Sequence, residues 1–170
     1  MTKYVAFLRG INVGGRIVKM AELKACCEGA GLQNVSTVLQ TGNVIFESDE
    51  SELKSVIESA LTKTFEYPAK AQIIELDELR QIIKSYPFDS SDENMQHYVI
   101  FMENDLEKVL FNEVESLDTQ IDSLAEGNGV LYWRVQKGMT LKSVFAKFLT
   151  KSKYRLYNTN RNIKTLKKLI

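Results

Sequence analysis

Apolar positions along the chain alternate between the period of two expected of a strand and the 3.6 period of a helix. Residues 4 to 8, YVAFL, form a β-prone run that leads into a glycine-rich stretch. Met20 to Ala30 then has helical spacing and stops at Gly31, a residue suited to the left-handed turn after a helix. Val35 to Gln40 and Asn43 to Glu47 are short β-prone runs flanking Thr41-Gly42, which predicts an antiparallel pair with a two-residue turn. Asp49 and Glu52 have the spacing of a capping box before a helix carrying Leu53, Val56, Ile57, Ala60 and Leu61, and a strand from Lys70 to Leu76 follows. Residues 3 to 76 thus read βαββαβ, the ferredoxin-like order of a four-stranded antiparallel sheet covered by two helices on one face.

Asp77 is placed to cap a short helix through Leu79, Ile82 and Ile83 that ends by Pro87, and PFDSSDENMQ reads as a linker. The pattern then starts again. His97 to Met102 is a strand, Asn104 is placed to cap a helix with Leu106, Val109, Leu110 and Val114, and Ile121 to Val135 holds a hairpin around Gly127-Asn128-Gly129. Leu141 to Leu149 predicts a helix, and Asn160 to Ile170 a short basic helix with Ile163, Leu166, Leu169 and Ile170 on one side. YVIFM at 98 to 102 echoes YVAFL at 4 to 8, which suggests an old duplication. We expect an α+β protein of two ferredoxin-like (α/β-plait) subdomains with antiparallel sheets: residues 1–76, a connecting helix and linker over 77–96, and residues 97–170 with basic C-terminal helices.

Composition fits a globular chain: 170 residues, 44% of them hydrophobic, are enough for a real core, and two prolines leave no room for a long disordered tract. No window reaches the roughly 18 apolar residues of a membrane span, and the apolar run near the start is too brief for a signal peptide, so the expected setting is cytoplasmic. Cys26 and Cys27 are adjacent in a predicted helix and, with Leu23 and Ala30, read as core packing rather than a disulfide; with His97 they supply too few ligands for zinc, and no metal site is expected.

The net charge of zero hides a polarity. Residues 134 to 170 hold 11 basic residues and no acidic one, a balance of +11, so residues 1 to 133, with 11 basic and 22 acidic residues, stand at −11. Such asymmetry can steer an anionic partner to one face, or can fold the basic end against the acidic body.

The loop after the first strand, Gly10-Ile-Asn-Val-Gly-Gly15-Arg16-Ile17, narrowly misses the P-loop pattern G-x-x-x-x-G-K-[ST]. Ile17 has no hydroxyl for Mg²⁺, and the hairpin at Thr41-Gly42 argues against a parallel sheet, so a nucleotide hydrolase of that class is rejected. What remains is a loop of small residues beside Arg9, Arg16 and Lys19, before a helix: an anion site by chemistry, or a wide turn by spacing alone. Gln40-Thr41-Gly42-Asn43 is open to the same two readings.

LRGINVGG at 8 to 15, the Met20-Ala21-Glu22-Leu23 helix start, QTGNVIF at 40 to 46 and TNRNIKTLKKL at 159 to 169 resemble the bacterial domain of unknown function 1697 family across nearly the whole chain. Members commonly carry Trp where Ile163 stands. The resemblance implies two α/β-plait subdomains and no established reaction. It singles out Arg9 and Asn12, then Gln40 and Asn43, then Arg161 and Asn162, and with Gly10, Gly14 and Gly15 of the loop and Gly42 of the turn these are the candidate ligand-binding residues. We expect these motifs to converge on one small phosphorylated or nucleotide-like ligand, with arginines neutralising its anionic group and amides reading its hydrogen-bonding edge. A cofactor and a catalytic residue are not named by the sequence.

Other classes fare less well. The sole histidine, His97, opens a predicted strand and no serine sits in a G-x-S-x-G elbow, so a hydrolytic triad is hard to build and His97 reads as structural. A nucleic-acid module using the basic end, with Tyr132, Trp133, Tyr154 and Tyr157, is the main alternative, although the aromatic RNA-binding motif is missing from the strand at 42 to 46. A protein-interaction adaptor is the third. The stripe Leu141, Val144, Phe145, Phe148 and Leu149 reads as core rather than a membrane face, and a monomer or weak dimer is expected.

Overall fold

The computed structural model describes residues 1–114 and 121–170. The chain divides into two compact units, Met1–Arg80 with Leu169–Ile170, and Gln81–Lys168.

In the first unit β1 (Thr2–Arg9), α1 (Met20–Gly29), β2 (Gln33–Val38), β3 (Asn43–Ser48), α2 (Leu53–Phe65) and β4 (Lys70–Glu75) build a four-stranded sheet in the order β2-β3-β1-β4. Every pairing is antiparallel, with Ala6 opposite Val44 on one side of β1 and Ile73 on the other. Strand alternation sends Ala6, Leu8, Val44, Phe46 and Ala71 to one face, where they pack with Leu23 and Cys27 of α1 and Leu53, Ile57 and Leu61 of α2. Removing Leu61 to Ala from such a core costs about 2–5 kcal/mol in comparable proteins.

The second unit repeats this order. It contains β5 (Met95–Met102), α4 (Leu106–Val114), β6 (Asp122–Glu126), β7 (Val130–Gln136), a 3₁₀ turn at Thr140–Lys142, α5 (Val144–Leu149), α6 (Ser152–Arg155), β8 (Asn158–Asn162) and α7 (Ile163–Lys167), with strand order β6-β7-β5-β8. Ile100, Leu131, Trp133 and Val135 of the sheet pack with Leu110, Val114, Phe145 and Tyr154. Between the sheets in sequence lies α3 (Leu76–Lys84). Two antiparallel four-stranded sheets with helices make the α+β, two-plait fold that the residue pattern predicts. Among the described residues no helix is long and apolar enough to cross a membrane.

Several local expectations are corrected. The first hairpin turns through four residues, 39 to 42, because Val38 pairs with Asn43, and Leu39 and Gly42 both take positive φ, 59° and 76°. The Asp49–Glu52 capping box does not form: Glu52 itself precedes α2 without a side-chain cap bond, and Asp49 instead meets the N-terminal amine at 3.2 Å. Asp77 lies inside the first turn of α3, where it pairs with Arg80, and Leu76 begins that helix rather than ending β4. Met95 and Gln96 belong to β5 and not to the linker. Asn104 and Asp105 have φ of 59° and 54° and form a left-handed approach to α4 instead of a cap.

Two further expectations fall in the second unit. Leu141 to Leu149 is not one helix, since Ser143 takes an extended ψ of 132° and starts α5 afresh, with its Oγ accepting from the Ala146 N–H. Leu141 is consequently 90% exposed. The segment from Asn160 is also divided: Asn158–Asn162 is a strand that pairs antiparallel with β5, and only Ile163–Lys167 is helical.

Candidate functional site

The loop between β1 and α1 starts at Gly10, whose φ of 69° turns the chain out of the strand, and Gly14 and Gly15 repeat positive values of 69° and 80°. Such values are cheap only for glycine. Asn12 fixes the loop in two directions: its Oδ1 accepts from the Val18 N–H at 3.0 Å, and its Nδ2 donates to the main-chain oxygen of Gln40 at 3.1 Å. A second tie joins the same segments, the Leu8 N–H donating to the Gly42 oxygen at 2.8 Å. Gly42 favours glycine on two counts, since its φ is 76° and an added Cβ would lie a tight 3.1 Å from both Leu8 Cβ and Ile11 Cγ2. Asn43, buried on β3, donates through Nδ2 to the Val38 oxygen at 3.1 Å and to Thr41 Oγ1 at 2.7 Å, closing the turn.

The first two sequence motifs are therefore one structural object. Asn12 and Asn43 use their amides to shape it, while the Gln40 side chain stays exposed and Arg9, half-buried, ends β1. Arg16 is held in place as well. Its guanidinium lies 4.4 Å from the centre of the Tyr67 ring, and its Nη1 donates to the Gly10 oxygen at 3.3 Å. Burial pushes the Tyr67 hydroxyl above its ordinary pKa, and the Arg16 charge works against that rise. Residues 13 to 15 and Ile17 remain exposed, with Val13 at 64% and Ile17 at 85%. The loop runs into α1, whose first turn has no side-chain cap at Lys19.

Arg161 and Asn162 lie in the second unit on β8, opposite Val99 and Tyr98. Asn162 caps α7, its Oδ1 accepting from the Lys164 N–H at 2.8 Å, and Arg161 donates to the Asn160 oxygen at 3.0 Å. Ile163 is fully buried.

Tyr67 was missed by sequence reasoning: it lies far along the chain from Arg16, and no local pattern marks it as the ring beneath that guanidinium. His97 is buried, its Nε2 3.2 Å from the Asp92 oxygen and its Nδ1 3.1 Å from the Tyr86 hydroxyl, so its ring fastens the segment before β5. In the basic C-terminal third, Tyr132, Trp133 and Tyr154 are buried and leave no open face for base stacking, whereas Tyr157 is 37% exposed.

A bacterial protein of known structure, conserved protein SP0830 from Streptococcus pneumoniae, is similar to this chain: the two share 27% identity with a TM-score of 0.80, over 99% of this chain and 96% of that one. An unknown protein from Galdieria sulphuraria aligns at 7% identity with a TM-score of 0.26, over 95% of this chain and 98% of that one. No curated protein matches the sequence. Residues 1–132 match the family described as Protein of unknown function (DUF1697), and the chain belongs to that family.

Proposed function

We propose that the glycine loop of the first unit binds a small phosphorylated or nucleotide-like ligand in the cytoplasm. The observation that supports this reading is a loop held at both ends yet open in the middle. Asn12 and Arg16 fix its shape, and residues 13 to 15 stay exposed. A loop already held in shape loses little entropy on binding. A Cβ at Gly14 or Gly15 would meet nothing within 4 Å, so the main chain there is open to the approach of a phosphate, and the uncapped start of α1 adds a favourable dipole. Exposed Val13 and Ile17 supply apolar area for the flat part of such a ligand.

The test is a thermal-shift titration with adenosine 5′-monophosphate, adenosine and inorganic phosphate, on the natural chain and on Arg16→Ala. A ligand at 100 times its Kd adds about 2.7 kcal/mol of stability. The expected result is a clear rise in Tm with the monophosphate, a smaller one with phosphate, none with adenosine, and loss of the effect in Arg16→Ala. An unchanged Tm with all three compounds overturns the reading.

A further inference from the structure

The second unit contains a pocket of about 290 Å³ beside the start of α7, and its lining includes Glu93, Gln96, Lys137, Asn162 and Lys164. Two of these side chains are amides whose oxygens are already engaged by neighbouring donors. The Gln96 Oε1 accepts from the Tyr98 hydroxyl at 3.1 Å and from Thr140 Oγ1 at 2.6 Å. With both hydroxyls on the oxygen, the Gln96 Nε2 is the group left to donate elsewhere. Asn162 is set in the same way, because the Lys164 N–H occupies its Oδ1 and leaves Nδ2. The pocket thus combines two fixed amide donors with the ammonium groups of Lys137 and Lys164 and one carboxylate, Glu93.

We propose that this pocket binds a small hydroxylated phosphate ester, such as a sugar phosphate. Two lysines and two amide N–H₂ groups match the several acceptor oxygens of a phosphate, and hydrogen bonds from ionised donors to such oxygens are among the strong ones. Glu93 would repel a phosphate placed against it and accepts well from a hydroxyl, which assigns the anionic end of the ligand to the lysines and the polyol end to the carboxylate. The volume suits such a ligand, at the lower edge of the range usual for small-molecule sites. The assignment uses residues of the second unit only and stands apart from the glycine-loop reading.

Calorimetric titration of the whole chain with ribose 5-phosphate, inorganic phosphate and ribose tests it. Ribose 5-phosphate is expected to bind at least about tenfold more tightly than phosphate, and ribose not measurably, with a tenfold ratio equal to 1.4 kcal/mol. Lys137 and Lys164 are exposed, so the double variant Lys137→Ala/Lys164→Ala should keep its fold and lose at least tenfold in affinity for ribose 5-phosphate. Glu93→Gln should narrow the gap between ribose 5-phosphate and phosphate. No binding of ribose 5-phosphate, equal affinity for inorganic phosphate, or unchanged affinity in the double lysine variant each overturns the proposal.

Discussion

Asn12 reaches across 28 residues of sequence to the main-chain oxygen of Gln40, and this 3.1 Å hydrogen bond, with the Asn12–Val18 bond behind it, makes the glycine loop and the first hairpin one unit. Each such bond contributes about 0.5–1.5 kcal/mol net. Asn12→Ala should therefore lower the urea-unfolding free energy by about 1–3 kcal/mol. Asn12→Asp keeps an acceptor for Val18 but places a carboxylate against the Gln40 oxygen, so it should not restore full stability. Wild-type stability in Asn12→Ala would show that the loop is held by other means.

Gly42 and Gly14 separate two reasons for glycine. Both have positive φ, but a Cβ at Gly14 would meet nothing within 4 Å, whereas at Gly42 it would press on Leu8 and Ile11. Left-handed backbone alone costs a non-glycine residue about 1–2 kcal/mol. Gly14→Ala should cost about that much, and Gly42→Ala measurably more, because the contact is with β1 backbone and a packed side chain. Equal losses in chemical denaturation would mean that the space around Gly42 relaxes freely.

These positions also show what the residue pattern could reveal. The central strands β1 and β5 were legible because YVAFL and YVIFM are apolar and β-prone, and α2 because Leu53, Ile57 and Leu61 repeat at helical spacing. β8 was not, because Asn-Thr-Asn-Arg-Asn has poor strand propensity and becomes a strand through its ladder with β5. The glycine loop and the QTGN hairpin were both legible as special segments, but their connection was not: Asn12 looks equally suited to a ligand or to a neighbouring carbonyl until Gln40 is placed beside it. Tyr67 and Gln96 carry no local signal, since their roles depend on Arg16 in one case and on Tyr98 and Thr140 in the other.

Ser143 joins two elements of the second unit. Its Oγ accepts from the Ala146 N–H to cap α5 and donates to the buried Asp122 carboxylate, which also accepts from Trp133 Nε1 at 3.4 Å. Loss of a cap costs about 0.5–2 kcal/mol, and removing one donor from a buried carboxylate adds about 1–3 kcal/mol. Ser143→Ala should thus cost about 1.5–5 kcal/mol in equilibrium unfolding. Ser143→Thr keeps the hydroxyl and should recover part of that. A loss under about 1 kcal/mol in the alanine variant would mean that Asp122 finds another donor.

Cys27 gives the alkaline limb of stability a definite sign. Burial, with smaller contributions from the neighbouring Cys26 and Glu28, pushes its thiol up to about 12 from an ordinary value of 9.0. Unfolding frees the thiol to ionise near 9, so between about 9 and 12 the unfolded chain binds fewer protons at this site than the folded one. Stability contributed by the site is whole below pH 9 and falls as pH rises above it, with a limiting slope of about 1.4 kcal/mol per pH unit. The Tyr67 and Tyr132 hydroxyls, also raised by burial from 10.0, act with the same sign at higher pH, so the Cys27 effect is best isolated between pH 8 and 10. Over that interval Cys27→Ala should flatten the decline in urea-unfolding free energy even though it lowers stability at pH 7 by opening a small cavity beside Leu23. Equal slopes for the two chains would show that the Cys27 thiol ionises as readily in the folded protein as in the unfolded one.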